Sequence, residues 1–217
     1  FEDPFLDRTG SGPPMVVVPI GEFTMGSADS ERGRKPSEGP RRKVTIGDAV
    51  ALGRTEVTVG QFRRFVETVG YETDAELRGD STYYEEASGR MTTGKGVDWR
   101  RDFNNEAARD GDPVVHVSWN DANSYAEWLT RATGEAYRLP SEGEFEYARR
   151  VEGPLLVGRS PANAGAGQFH RRRRPLADQA QLDPRLSALC GWPLGAGAGF
   201  IFPRQSLWIV RPGWQRL

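Results

Sequence analysis

Apolar residues at helical spacing predict a first helix between Thr58 and Gly70. Thr58 is a favoured N-cap residue, and Gln61 stands three positions later, so the two can form a capping box. Gly70 follows the last apolar position and suits the left-handed conformation that commonly ends a helix. The residues expected on the buried face of this helix are Phe62, Phe65, Val66 and Val69.

Two further helices carry similar start and stop signals. Ser118, with Asp121 at the third position, predicts the start of a second helix, which Gly134 ends. Ser141 predicts the start of a third helix, and Glu144 completes its capping box. The expected buried faces are Trp119, Ala122, Tyr125, Ala126 and Leu129 for the second helix, and Phe145 and Ala148 for the third.

Short apolar or alternating runs predict strands ahead of the first helix. The run Ser27–Arg42 is charged and broken by Gly and Pro, which favours an exposed loop. Residues 1–14 are polar and rich in Gly and Pro, so we interpret them as a lead-in or linker. The segments expected to be extended are Met15–Val18, Gly21–Gly26 (strand or turn) and Lys43–Ile46.

The stretch Glu72–Asp110 is polar, punctuated by Gly and without a regular pattern. A structureless stretch of this length in a compact domain is usually functional or disordered. We expect Trp99 to pin it to the body of the domain. Its acidic residues could gather a hard cation, but their spacing matches no calcium loop, so a solvated loop is the favoured interpretation. These residues are Glu72, Asp74, Glu76, Asp80, Glu85 and Glu86.

His116 lies in the Pro-led run Asp112–Val117, which is predicted to be extended. A histidine in such an apolar run is more often a satisfied core residue than a metal ligand, and we interpret His116 in that way. Capped helices among short strands and long loops indicate an irregular α+β domain with little regular secondary structure, not a doubly wound sheet. This domain is expected to span residues 15–150.

Composition excludes some classes of function. The net charge is −1, so no overall field favours nucleic acid or a membrane surface. Cys190 is the single cysteine, which excludes an internal disulfide framework. The early apolar run Met15–Val18 is far too short to span a bilayer. No signal peptide is visible, and a cytoplasmic location is favoured.

Four segments, in this order, resemble the formylglycine-generating enzyme, or sulfatase-modifying factor, family. Met15–Ser27 reads M-V-V-V-P-I-G-E-F-T-M-G-S, and Thr55–Phe62 reads T-E-V-T-V-G-Q-F. Asp112–Ala122 reads D-P-V-V-H-V-S-W-N-D-A, and Tyr137–Arg150 reads Y-R-L-P-S-E-G-E-F-E-Y-A-R-R. Each block alone is a weak to moderate signal, but four blocks with family-like gaps are specific. The resemblance covers residues 15–150.

The resemblance implies an irregular fold related to C-type lectins. It also implies the family's best-known activity, the oxidation of a cysteine in a protein substrate to formylglycine. The family's enzymes use oxygen and a copper ion held by two cysteines, and calcium ions brace the later part of the domain. Copper(I) prefers soft thiolate ligands, and this chain has only Cys190. We therefore expect no catalytic, cofactor-binding or metal-binding residues, and no cofactor, in this chain.

Other functions remain open at this point. Some relatives are non-catalytic binding modules, for which Glu72–Asp110 would be the contact surface of a protein or ligand. Other relatives use iron held by histidines, but this chain has only His116 and His170. The natural partner is unknown from the residues, although the resemblance implies a protein or peptide substrate.

Residues 151–217 lack the later blocks of the family, which are W-G-D, N-x-F-G-L-Y-D-M-x-G-N-V-W-E-W and R-G-G-S-W. A shift of reading frame would explain this. Tryptophan has a single codon, which becomes a glycine codon when it is read one base later. Trp208 and Trp214 then become the two glycines of G-L-Y-D-M-x-G, and Leu155–Arg159 can become Y-W-W-G-D. Sequencing the coding DNA tests this hypothesis.

A shifted frame predicts that residues 151–217 form a disordered, out-of-frame tail and that the fold is incomplete at its carboxyl end. The basic run His170–Arg174 is then an accident of GC-rich codons and not a nucleic-acid site. Gly195–Gly199 lacks the spacing and the lysine of a phosphate loop. Without the late blocks, we expect the chain to be marginally stable and inactive as a formylglycine-generating enzyme.

Overall fold

The computed structural model of the chain describes residues 1–150 and 207–213, which contain short strands, short helices and long connections. The predicted α+β class with little regular secondary structure is confirmed. The strands are β1 (Met15–Val18), β2 (Gly21–Met25), β3 (Arg42–Ile46), β4 (Val50–Gly53), β5 (Asp80–Glu85), β6 (Arg90–Lys95) and β7 (Val210–Arg211). The helices are α1 (Val59–Val69), α2 (Asp74–Arg78), α3 (Trp119–Thr133) and α4 (Glu142–Arg150).

The predicted helix ends are confirmed for α1 and α3. The Thr58 side chain accepts a hydrogen bond from the Gln61 amide, and the Gln61 side chain accepts one from the Thr58 amide at 3.0 Å. Gly70 ends α1 in the left-handed conformation with φ +63°. Helix α3 begins at Ser118 and ends at Gly134 in the same manner. These signals are local, which is why the sequence alone can place them.

The buried faces of α1 and α3 differ from the prediction at one residue each. Val69 is 51% exposed and Trp119 is 73% exposed, although both were expected to face the core. Both lie at a helix end, since Val69 is the last residue of α1 and Trp119 is the first residue of α3. Val59, the first residue of α1, and Trp128 of α3 are buried instead.

Strand β4 was not predicted, and it lies at the centre of a sheet with the order β1-β4-β7. Val18 pairs with Val50 at one end of the antiparallel β1–β4 ladder, and Met15 pairs with Gly53 at the other. All four residues of β4 are buried. A short strand that is buried on both faces shows no alternation of polar and apolar residues, so its pattern gives no signal.

Residues 207–213 complete this sheet and enter the core. Leu207, Ile209 and Val210 are buried, and β7 pairs antiparallel with β4. The Val210 amide and carbonyl also exchange hydrogen bonds with Arg138 at 2.8 and 2.9 Å. The prediction of a disordered tail therefore does not hold for residues 207–213. A peptide translated out of frame can still pack, so this contact leaves the reading frame to be decided by the coding DNA.

Residues 1–14 pack on the domain and are not a free linker, so the domain begins before residue 15. Phe5 is buried, and its ring lies 5.7 Å from that of Trp128. The Leu6 amide donates a hydrogen bond to the Ala132 carbonyl at 2.8 Å. The prediction of a linker is wrong because isolated apolar residues in a Gly/Pro-rich segment, such as Phe5, find partners that local composition does not reveal.

The stretch Glu72–Asp110 is also more ordered than expected. Helix α2 has a capping box formed by Thr73 and Glu76, and Gly79 ends it with φ +76°. Strands β5 and β6 form a hairpin directly after this helix. Trp99 is almost fully buried against Phe62, with ring centroids 5.7 Å apart, so its predicted role as an anchor is confirmed.

Helix α4 covers a second, smaller core beside the β2–β3 hairpin. Ser141 and Glu144 exchange capping hydrogen bonds as predicted, and Ala148 is buried. Tyr147 packs against Phe23, with ring centroids 5.4 Å apart. None of the helices in the described ranges is long and apolar enough to cross a membrane.

Candidate functional site

Of the two histidines, His116 lies within the residues that the structure describes. It is buried between the β5–β6 hairpin and the loop after β6. Its Nδ1 atom lies 3.1 Å from the Ser81 hydroxyl, and its Nε2 atom lies 2.9 Å from the Asp102 carbonyl oxygen. A carbonyl can only accept a hydrogen bond, so Nε2 carries the proton and Nδ1 accepts from Ser81. Both ring nitrogens are therefore satisfied.

This geometry confirms that His116 is a core residue. Burial lowers the pKa of His116 below its ordinary value, and the hydrogen bond to Asp102 and the nearby Asp98 oppose this effect without reversing it. Ser81 is also buried, so the Ser81–His116 pair is not open to a substrate. The extended conformation expected across residues 112–117 is wrong at His116, whose φ is +61° and turns the chain toward Ser81.

Acidification is expected to weaken folding through His116. Its unfolded pKa is about 6.5 and its folded pKa is lower, so the unfolded chain binds the proton more readily. The contribution of neutral His116 to stability is present above about pH 6.5 and is lost as the pH falls through and below that value. Urea unfolding of the wild type and of His116→Gln between about pH 7 and pH 5 measures this. The substitution is expected to flatten the pH dependence, and an unchanged slope would contradict the assignment.

The acidic residues expected to be candidate cation ligands in Glu72–Asp110 are spread over α2, β5 and the residues beside them. Glu76 pairs with Arg100 at 2.6 Å, and Glu85 accepts a hydrogen bond from Ser88 at 2.6 Å. Within residues 1–150 and 207–213, no three His, Cys, Asp or Glu side chains lie close enough together to hold a metal ion. The stretch was expected to be a solvated loop, but the structure folds much of it into a helix and a hairpin.

Asp121, at the start of α3, joins the segments around it through a buried carboxylate. It accepts hydrogen bonds from the Tyr71 hydroxyl at 3.0 Å, the Asp74 amide at 3.1 Å and the Ser118 amide at 2.7 Å. Asp74 in turn accepts hydrogen bonds from Ser118 and Asn120. Three donors and the positive end of the helix dipole balance the buried charge. This network holds α2 against α3 and occupies both oxygens of the buried Asp121 carboxylate.

The other candidates from the sequence lie outside the described residues. These are Cys190, His170, the basic run His170–Arg174 and the Gly-Ala run Gly195–Gly199. The single thiol of the chain is therefore not among the residues that the structure places. A copper site of the two-cysteine type does not fit this chain, since its second thiolate has no residue to supply it.

The comparison with protein families decides where this chain belongs. The model of the sulfatase-modifying factor enzyme 1-like domain matches residues 1–184. The chain belongs to the sulfatase-modifying factor family. This confirms the resemblance carried by the four sequence blocks. The match begins at residue 1, which agrees with the packing of residues 1–14 on the domain.

Curated relatives of this sulfatase-modifying factor chain include proteins named as active and as inactive. The formylglycine-generating enzymes of Mus musculus and Streptomyces coelicolor are each 36% identical to it, over 154 and 152 residues. The inactive C-alpha-formylglycine-generating enzyme 2 of Mus musculus is 37% identical over 155 residues. These alignments cover 62% to 64% of this chain and 39% to 47% of the relatives. The chain thus spans less than half their length, and identity alone does not separate the two kinds.

A solved structure supports the fold. The structure of PvdO from Pseudomonas aeruginosa matches this sulfatase-modifying factor chain with a TM-score of 0.50 and 31% identity. The match covers 71% of this chain and 54% of PvdO. The irregular α+β arrangement described above is therefore the fold of the formylglycine-generating enzyme family.

Proposed function

We propose that this chain carries the scaffold of a formylglycine-generating oxidase and that these 217 residues alone do not generate formylglycine. The family match supports the first part. The single cysteine carries the second part, because the family's copper ion needs two thiolates. The substrate class proposed for the family scaffold is a protein or peptide that presents a cysteine.

The described residues support a scaffolding role more than a catalytic one. Among them, the buried side chains of His116 and Asp121 make their hydrogen bonds within the protein. The binding-module alternative is not favoured. Its expected contact surface, Glu72–Asp110, holds a helix and a hairpin whose carboxylates have partners such as Arg100, and the chain is similar to formylglycine-generating enzymes.

Titration with copper(I) against a competing chelator tests this proposal. The chain as written is expected to show no tight site at one copper per chain, because a single thiolate cannot supply the linear two-sulfur coordination that stabilises copper(I). Cys190→Ser is the matched control and is expected to remove any weak binding that remains. Tight binding of one copper per chain, or binding that survives Cys190→Ser, would contradict the proposal.

A chain expressed from DNA in the restored reading frame extends this test. If that DNA encodes two cysteines in the late family blocks, the restored chain is expected to bind one copper tightly. If it encodes none, the restored protein belongs with the relatives named as inactive. The two outcomes separate an oxidase from a non-catalytic family member.

A further inference from the structure

Arg211 of β7 joins the two ends of the described chain. Its guanidinium lies 3.0 Å from an Asp3 carboxylate oxygen, and it also pairs with Glu135. The side chains of Arg211 and Asp3 are only 17% and 11% exposed. The second oxygen of Asp3 accepts a hydrogen bond from the Tyr137 hydroxyl. The carboxylate of Asp3 is therefore held from both sides, once by β7 and once by the loop after α3.

The segment that carries Asp3 also contacts α1 and α3. Phe5 packs on Trp128, and the Arg64 guanidinium lies 4.2 Å from the centre of the Phe5 ring. The Gly12 amide donates to the Asp3 carbonyl at 2.8 Å, which closes residues 3–12 into a compact loop. We call residues 1–14 the amino-terminal strap.

Arg211, the other member of the ion pair, lies in a short segment that makes few strand pairings. We call residues 207–213 the closing strand. Its carbonyls at Leu207 and Ile209 accept hydrogen bonds from the amides of Val57 and Gly53 at 2.7 and 3.0 Å. Only two of its residues form a regular ladder with β4. A strand of this length gains little stability from backbone pairing alone. Side-chain contacts therefore contribute a large part of the free energy that keeps it in the sheet.

We propose that the amino-terminal strap holds the closing strand in the sheet through the Asp3–Arg211 pair, so that release of one segment frees the other. Removal of either partner takes away the main compensation of the other, mostly buried charge: Arg211 then keeps only the more exposed Glu135, and Asp3 keeps only the Tyr137 hydroxyl. The coupling is reciprocal, because a contact shared by two segments stabilises both by the same free energy. The strap is thus a conformational device that controls whether the central sheet is complete.

Hydrogen exchange of the full chain tests the coupling across the pair. Asp3→Asn is expected to speed exchange at the amides of Gly53 and Val57, which the closing strand covers, by about tenfold or more. Arg211→Gln is expected to speed exchange at the Leu6 and Gly12 amides of the strap by a similar factor. The control is Arg131→Gln, which removes an exposed i,i+4 pair with Glu127 and is expected to change neither segment.

Faster exchange that is confined to the segment carrying the substitution would mean that the two segments are not coupled. Exchange that rises only in the strap for Asp3→Asn, and only near the closing strand for Arg211→Gln, would overturn the proposal. If Asp3→Asn speeds exchange throughout the chain, the double variant Asp3→Asn/Arg211→Gln gives the decision, because two substitutions that break one shared contact are not additive. A double variant whose exchange in both segments is no faster than that of the worse single variant supports the strap, and additive effects of the two substitutions overturn it.

Discussion

Replacing Phe62 with alanine is expected to destabilise the fold by about 3–5 kcal/mol. Phe62 is fully buried in α1, and its ring lies 5.4 Å from that of Phe65, 5.7 Å from Trp99 and 5.9 Å from Tyr125. Its removal would leave a cavity where α1, α3 and the loop after β6 meet. Since a whole domain is stable by only about 5–15 kcal/mol, this loss is a large share of the total.

Val69→Ala is the matched control for this prediction. Val69 belongs to the same helix and was expected from its spacing to share the buried face, but it is half exposed. Its replacement is expected to change stability by less than about 0.5 kcal/mol. Urea unfolding of both variants measures the difference. Similar losses for Phe62→Ala and Val69→Ala would contradict the structure and favour the simple helical pattern.

The contrast between Phe62 and Val69 shows what the sequence can predict. The helix starts and stops follow from side chains that contact their own backbone within three or four residues, such as Thr58 with Gln61. The exposure of Val69 is set by tertiary packing, which the spacing of apolar residues within one helix does not reveal. Strand β4 is likewise defined by its pairing with β1 and with β7, which lies more than 150 positions further along the chain.

In the candidate site, too, the sequence could predict local features but not long-range contacts. The interpretation of His116 as a satisfied core residue follows from its apolar neighbours and is confirmed. Its partners were not predictable, because Ser81 and Asp102 are 35 and 14 positions away in the chain. The polar links of the amino-terminal strap were missed for the same reason. Asp3 stands in a polar segment that reads as a linker, and Arg211 stands beyond the last recognised family block.

Formylglycine production by these 217 residues alone is expected to be absent. Activation of oxygen by the family's copper ion requires the two-thiolate site, and the chain has one cysteine. Without the bound metal, we expect no conversion of cysteine to formylglycine, and not merely a slower conversion. Correct folding of α1 and α3 does not alter this expectation, because what the chain lacks is the second thiolate ligand and not the scaffold.

Mass spectrometry of a cysteine-containing sulfatase peptide, incubated with the purified chain, copper(I) and oxygen, measures whether the chain generates formylglycine. The predicted result is that the peptide thiol stays unconverted, although hydrogen exchange shows that the chain is folded. A protein from the restored reading frame, if it carries two cysteines, serves as the positive control. Copper-dependent appearance of the aldehyde with the chain as written, and its persistence with Cys190→Ser, would contradict the account.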